Sequence, residues 1–308
     1  MRKINLLLTL IISILTFQQC AFGASIFSKD LQSGIDNFYK SCKDKDVSEI
    51  YRGKERPNRL LLIDATDPLT SAQIQYLRDN YINGIDWQNK GEIFSMVLLD
   101  NKDISKLSHM TVCSPVREDQ ITWNMAEKIE KKKIRQYKKI LNDAFDAMVN
   151  QDTKADSTRL IETLYQIYTN KRFNFLEGKR SLLIASDLMQ ISKEVDLRCK
   201  GRCPTFADTK KKKQSWLNIT KLALSKNDLI ELYYFQTKCR VNLATLKWWQ
   251  DYFVNEGIST ESLFAKAENG VSDILCDGKP FSEGTSTTGG PIIFNQPQNG
   301  MSGFTSAK

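Results

Sequence analysis

Two carboxylates stand at the ends of apolar runs, and they are the residues of this chain best placed to do chemistry. The run Leu60-Leu61-Leu62-Ile63 ends in Asp64, with Thr66, Asp67 and Pro68 directly behind it. The later run "LLIAS" (182–186) ends in Asp187. Continuous apolar runs of this length read as parallel strands buried on both faces. In open α/β sheets, ligands bind outside the carboxyl ends of such strands. If the two strands are neighbours, Asp64 and Asp187 converge there. Thr66 adds a hydroxyl, and Ser157 or Thr158 adds another from the start of a helix. Carboxylates and hydroxyls without imidazole or thiolate form a hard-oxygen set, which suits Mg²⁺, Mn²⁺ or Ca²⁺. Asp67 is an additional candidate. An Asp in a strand-to-helix turn also has an ordinary role, capping the next helix or bonding local N–H groups. Ser157 and Thr158 read in the same way as helix caps.

The elements that must position these groups alternate. Strands are expected at 59–66, 92–100, 109–115 (stopped by Pro115), 180–188 and 228–236. Helices are expected at Leu31–Tyr39, at 71–82 with Thr70 or Ser71 as cap, at 123–149, at 156–168 capped by Asp156, Ser157 or Thr158, and at 245–258. The helix at 123–149 repeats Ile134, Tyr137, Leu141, Phe145 and Met148 at three- and four-residue spacing, the mark of one buried face. The aromatics of "WWQDYF" (248–253) read as core packing. Strands alternating with helices argue for a doubly wound, mostly parallel sheet with helices on both faces.

The layout resembles a von Willebrand factor A domain, whose metal-ion-dependent adhesion site reads D-x-S-x-S after the first strand. Here "DATDP" (64–68) puts Asp64 on the first position and Thr66 on the first Ser. Ser157 or Thr158 stands for that family's loop Thr, and Asp187 for its Asp after the fourth strand. Pro68 replaces the second Ser, so the motif is degenerate and any Mg²⁺ or Mn²⁺ is expected to bind weakly. "LLIDATDPLT", "LLIASDLMQ" and "WWQDYF" are similar to exported bacterial proteins with A-like domains, over about residues 58–258. The resemblance implies a single Rossmann-like α/β domain and a non-catalytic module for a protein partner or adhesion. Two alternatives stand beside it: an envelope scaffold or assembly factor without metal, and a metal-dependent phosphatase-like hydrolase. The last wants a second Asp two positions after the nucleophile, where Thr66 stands. A Ser-His-Asp hydrolase would need a positioned imidazole, and His109, the one histidine, follows no nucleophile-elbow motif.

Composition bounds the setting. Arg2 and Lys3 precede an apolar run from Ile4 to Phe17, and Ala21-Phe22-Gly23 follows. That run is shorter than the ~20 residues of a membrane span and reads as a cleaved signal peptide over 1–23. A polar, helical lead-in occupies 24–57, the A-like domain 58–276, and a tail 277–308. The tail holds 6 of the chain's 15 glycines and 3 of its 7 prolines, a composition expected to be disordered. The mature protein is expected in the periplasm or secreted, with a protein partner in the cell envelope and no transmembrane segment. Six cysteines remain after cleavage: Cys42, Cys113, Cys199, Cys203, Cys239 and Cys276. An oxidising compartment makes them disulfide candidates. Only Cys199–Cys203 is a plausible local pair. With one histidine, a zinc site is disfavoured. The net charge of +8 falls to +6 without Arg2 and Lys3. Lysines cluster at 128–139 and 210–213, read as a solvated helix face and a lysine-rich loop rather than a nucleic-acid surface. Mass spectrometry of the exported protein, with thiol alkylation, should find Ala24 or a near neighbour as the first residue and few free thiols. An intact Met1 or six alkylated cysteines would refute that.

Overall fold

The computed structural model describes residues 26–83, 88–99, 107–121, 126–151, 155, 157–169, 178–198, 203–234 and 243–267. The segments 1–23 and 277–308, with Asp156, Cys199, Cys239 and Cys276, lie outside them.

The elements run α1 (Lys29–Ser41), α2 (Lys45–Ile50), β1 (Pro57–Asp64), α3 (Ser71–Leu77), β2 (Ile93–Leu99), β3 (Ser108–Cys113), α4 (Glu127–Val149), α5 (Leu160–Thr169), β4 (Lys179–Ser186), α6 (Phe206–Ile219), β5 (Leu229–Tyr234), α7 (Leu243–Asn255) and β6 (Leu263–Ala267). The six strands form one sheet in the order β3-β2-β1-β4-β5-β6. Every neighbouring pair is parallel except β2–β3. This is the α/β, mostly parallel sheet that the alternation predicts.

Side chains of a strand alternate between faces, and the central strands bury both. Leu60 and Leu62 of β1, with Leu182 and Ile184 of β4, point into one core together with Leu164 of α5, Phe206 of α6 and Trp248 and Trp249 of α7. Leu61, Ile63, Leu183 and Ala185 point into the other, against Ile35 of α1, Leu77 of α3 and Tyr137 and Phe145 of α4. The aromatic run of α7 is core, as its composition predicts: Trp248, Trp249, Tyr252 and Phe253 are all buried.

The ends of the elements differ from the sequence expectation for local reasons. β1 stops at Asp64 instead of 66, because the Asp64 carboxylate accepts from the Thr66 N–H and turns the chain out of the sheet. β4 stops at Ser186 instead of 188, because Leu188 takes φ +58°, outside strand geometry. β3 ends at Cys113, short of Pro115. α3 is capped by Thr70, whose hydroxyl accepts from the Gln73 N–H while the Gln73 side chain returns to the Thr70 N–H; its last turn widens into a π-helical turn over Arg78–Ile82. α5 starts at Leu160, later than 156. α7 ends at Asn255 instead of 258, and Gly257 beyond it has φ +107°. Three elements were not expected: α2, β6 and α6. The last corrects the lysine-rich loop, since Lys210, Lys211 and Lys212 lie on a helix whose Thr205 hydroxyl accepts from the Asp208 N–H, with Lys213 at a kink inside it (φ −126°, ψ 25°).

Cys42, at the end of α1, forms a disulfide with Cys113, the last residue of β3, across 71 residues of sequence. Cys203 is also disulfide-bonded, to a cysteine outside the described residues, so the Cys199–Cys203 pairing stays an expectation. The Cys42–Cys113 link staples α1 to an edge strand and restricts the unfolded chain over a long loop. Replacing both by Ser should cost about 2–4 kcal/mol, read as a lower urea midpoint under non-reducing conditions. An unchanged midpoint would show that the packing of α1 carries the attachment alone.

Candidate functional site

The sheet order reverses direction between β1 and β4, and the crevice at such a reversal is where open α/β sheets bind ligands. The strands at 60–63 and 182–185 pair directly, Leu60 with Leu182 and Ile63 with Ala185. Asp64 therefore ends β1 beside Ser186, which ends β4.

Asp64 is 5% exposed, and both its oxygens are engaged. Oδ1 accepts from the Thr66 N–H (3.0 Å) and the Thr66 hydroxyl (2.7 Å). Oδ2 accepts from the Ser186 hydroxyl (2.6 Å). The Thr66 hydroxyl proton is thus committed, so at 2.9 Å the Thr158 hydroxyl is the donor to Thr66. Thr158 is fixed by a two-way backbone bridge to Ile191. The structure thus joins Asp64, Thr66 and Thr158 in one buried chain of hydrogen bonds. Ser157 sits one residue earlier, half-buried. Asp67 is exposed, and the cap of α3 comes from Thr70 instead.

Of the expected caps of α5, the Thr158 hydroxyl is engaged elsewhere, and a residue from another loop reaches the helix start. Because the Thr158 hydroxyl is spent on Thr66, the first turn of α5 is met from outside: the Gln190 side-chain oxygen accepts from the Ile161 N–H (3.0 Å), while its amide donates to Glu162 (2.9 Å). Sequence reasoning missed Gln190 and, more consequentially, Ser186. The signal for Ser186 was present in "ASD", since the β1–β4 register places the residue after Ala185 level with Asp64.

Asp187 stands one residue beyond β4. Its Oδ1 accepts from the Met189 N–H (2.9 Å). The loop that carries it is held at Leu188. The Leu188 N–H donates to the Ser186 hydroxyl oxygen (2.8 Å), and the Leu188 carbonyl accepts from the Trp249 indole N–H (2.9 Å). The Leu188 side chain is fully buried. These contacts offset the left-handed backbone of a non-glycine residue, which costs on the order of 1–2 kcal/mol.

Both acids are pushed towards their protonated forms. Burial raises Asp64 above the usual carboxylate range; the bonds from Ser186 and Thr66 oppose the rise, and the charge of Asp67 adds to it. Asp187 is pushed up to about 7, first by burial and then by the charge of Asp64, with the Met189 N–H opposing.

Whether these residues suit the divalent ion that the family resemblance implies can be tested on the donor set. A cation needs free lone pairs on Asp64 and on the hydroxyls. Three donors already occupy three of the roughly four lone-pair sites of the Asp64 carboxylate, the Thr66 hydroxyl bridges Asp64 and Thr158, and Pro68 brings no hydroxyl. Among the described residues, no three His, Cys, Asp or Glu side chains gather into a group that could hold a metal. The set closes on itself and does not fit a resident ion.

Comparison with solved structures gives likenesses to the human COPII-coat protein Sec24c (TM-score 0.34, 8% identity, covering 70% of this chain and 30% of that one). It also gives the pilus adhesin SpaC from Lactobacillus rhamnosus GG in its open conformation (TM-score 0.37, 9% identity, 73% of this chain and 29% of that one). The chain spans under a third of the length of either. No protein-family model and no curated protein matches it.

The electrostatics of Asp187 make a stability prediction with a definite sign. An unfolded Asp titrates near pH 3.9. As pH rises from about 4 to about 7, the unfolded chain sheds a proton that the folded one keeps, so the folded state loses ground and the loss is complete above about pH 7. Asp187→Asn removes that loss. It should be close to neutral at pH 4 and raise stability by about 1–3 kcal/mol at pH 8, read from urea midpoints at both pH values. A variant less stable than the parent at pH 8 would show that the Asp187 charge is satisfied in the fold.

Proposed function

We propose that this chain is a von Willebrand factor A-like binding module of the cell envelope, non-catalytic, which holds a protein partner at the carboxyl edge of its sheet without a resident metal. The observation that carries the reading is the closed network of Asp64, Thr66, Thr158 and Ser186 at the reversal of strand order. It builds a rigid floor there, and Asp187 and the exposed Asp67 stand at its rim. A parallel sheet with one antiparallel edge strand and the motif residues Asp64, Thr66, Thr158 and Asp187 at its switch point support the A-like assignment. Among the described residues no helix is long and apolar enough to cross a membrane.

The same network weighs against the hydrolase alternative. A carboxylate nucleophile needs a free lone pair facing its substrate and an acid/base partner two residues on. Asp64 is buried with both oxygens engaged, and the residue two positions on is Thr66, whose hydroxyl is tied to Asp64 itself.

Titration calorimetry with Mg²⁺ and Mn²⁺ tests the reading together with Asp64→Asn. The parent should show no binding tighter than about millimolar. The substitution should keep or raise the thermal midpoint at pH 7. An Asn side chain can still accept from Thr66 and donate to the Ser186 oxygen, and it removes a buried charge. Micromolar binding that Asp64→Asn abolishes would restore the metal-dependent site. Capture of a specific partner from an envelope fraction, lost on Asp187→Lys and Asp67→Lys, would place the contact at this rim.

A further inference from the structure

The outer face of α4 carries a second surface, separate from the corner and independent of its function. Helix α4 holds seven cations between Lys128 and Lys139. Three of them are neutralised by acids on their own helix: Lys131 by Glu127 (2.7 Å), Lys133 by Glu130 (2.8 Å), and Lys139 by Asp143. Lys128, Lys132 and Arg135 are exposed, and among the described residues none of them has a carboxylate partner. Their spacing is i, i+4 and i+7, so they fall on one stripe. That stripe is diametrically opposite the buried one of Ile134, Tyr137, Leu141 and Met148. Ile129 flanks it and is 56% exposed.

Local energetics disfavour this arrangement. Like charges at i, i+4 repel, and cations near a helix N-terminus oppose the macrodipole. A sequence that pairs three lysines with acids could have paired these as well. Violations of local rules without a compensating contact in the fold mark functional surfaces.

The shape of the surface selects the partner. The stripe is the crest of a convex helix, and among the described residues the large apolar side chain exposed beside it is Ile129, an aliphatic group with no ring face for a nucleic-acid base to stack on. A crest of aligned cations with one exposed aliphatic residue at its side fits a flat, anionic, deformable surface. We propose that the Lys128–Lys132–Arg135 crest of α4, with Ile129, docks on anionic phospholipid. The start of α4 lies at the amino edge of the sheet, where Lys131 reaches Glu118 (3.8 Å), and its far end leads to Ala155, whose N–H donates to the Thr66 carbonyl at the carboxyl edge. A protein seated by this crest docks through one end of α4 and leaves the acidic corner, beyond the other end, apart from the docked residues.

Vesicle co-sedimentation of the full chain tests it, with phosphatidylglycerol-containing vesicles against vesicles of phosphatidylcholine alone. Two triple variants are compared: Lys128→Gln/Lys132→Gln/Arg135→Gln, and the paired set Lys131→Gln/Lys133→Gln/Lys139→Gln, which removes the same charge. The parent should bind the anionic vesicles only, less so as salt rises. Each crest cation is worth roughly fivefold in partition, so the crest triple should lose on the order of 100-fold and the paired triple about tenfold or less. No binding to anionic vesicles overturns the proposal. So does an equal loss in both triples, which would make the effect one of net charge. Binding to duplex RNA in the absence of vesicle binding would also overturn it.

Discussion

The structure depends on a carboxylate buried at the end of its central strand. Removing an ionised Asp from water costs several kcal/mol, and a charged group recovers about 1.5–3 kcal/mol for each good hydrogen bond. Asp64 therefore has to be met by several donors at once, and the donors come from separate parts of the chain. The Thr66 N–H and hydroxyl fix the turn that ends β1. The Ser186 hydroxyl fixes the last step of the β1–β4 register. Thr158, bonded to Thr66, fixes the entry to α5. One acid thus ties together the elements that form the corner. Its charge also reaches Asp187, which burial and that charge together push up to about 7.

The fold and the corner were legible in the sequence to different depths. The strands were readable because burial on both faces leaves uninterrupted apolar runs such as 60–63 and 182–185. The α7 aromatics and the α4 stripe were readable because helical periodicity survives without tertiary context. Asp64, Thr66 and Asp187 stood out because a polar residue directly after a buried run has few ordinary reasons to be there. What stayed hidden depends on contacts between distant segments. Ser186 looks like any small residue in a strand until the register sets it level with Asp64. Gln190 gives no hint that it caps α5 from another loop, and the choice between Ser157 and Thr158 turns on which hydroxyl meets Thr66. Leu188 hides best, since a left-handed leucine has no sequence signature and is stable only because Ser186 and Trp249 grip it on both sides. The lysines of α6 misled because their charge suggests a loop. Its buried Phe206 and Leu217 are too few for a clear period.

The corner's chemistry follows from what meets the Asp64 carboxylate. Two oxygens facing each other at a buried carboxylate need a proton or a cation between them. Here Ser186 faces Asp64 from β4 and brings a proton, so the oxygens are reconciled by hydrogen bonding. The substitution of a donor for a cation has a mechanical consequence. A metal-centred corner gains rigidity only when its ion arrives, whereas this one is already held by the fold.

Charge is distributed along the sheet axis as well as within the corner. At the carboxyl edge, Asp64, Asp67 and Asp187 lie close enough for their charges to act on one another. At the amino edge, α4 begins with cations that its own acids do not cancel. The acids make the potential of their end more negative and the cations make theirs more positive, and the two are separated by most of the length of α4, about 35 Å for its 23 residues. Over that distance, beyond a Debye length at physiological salt, the ends act almost independently. An anionic surface is drawn to one end and repelled by the other, so docking selects one orientation of the whole domain even when no single contact is strong.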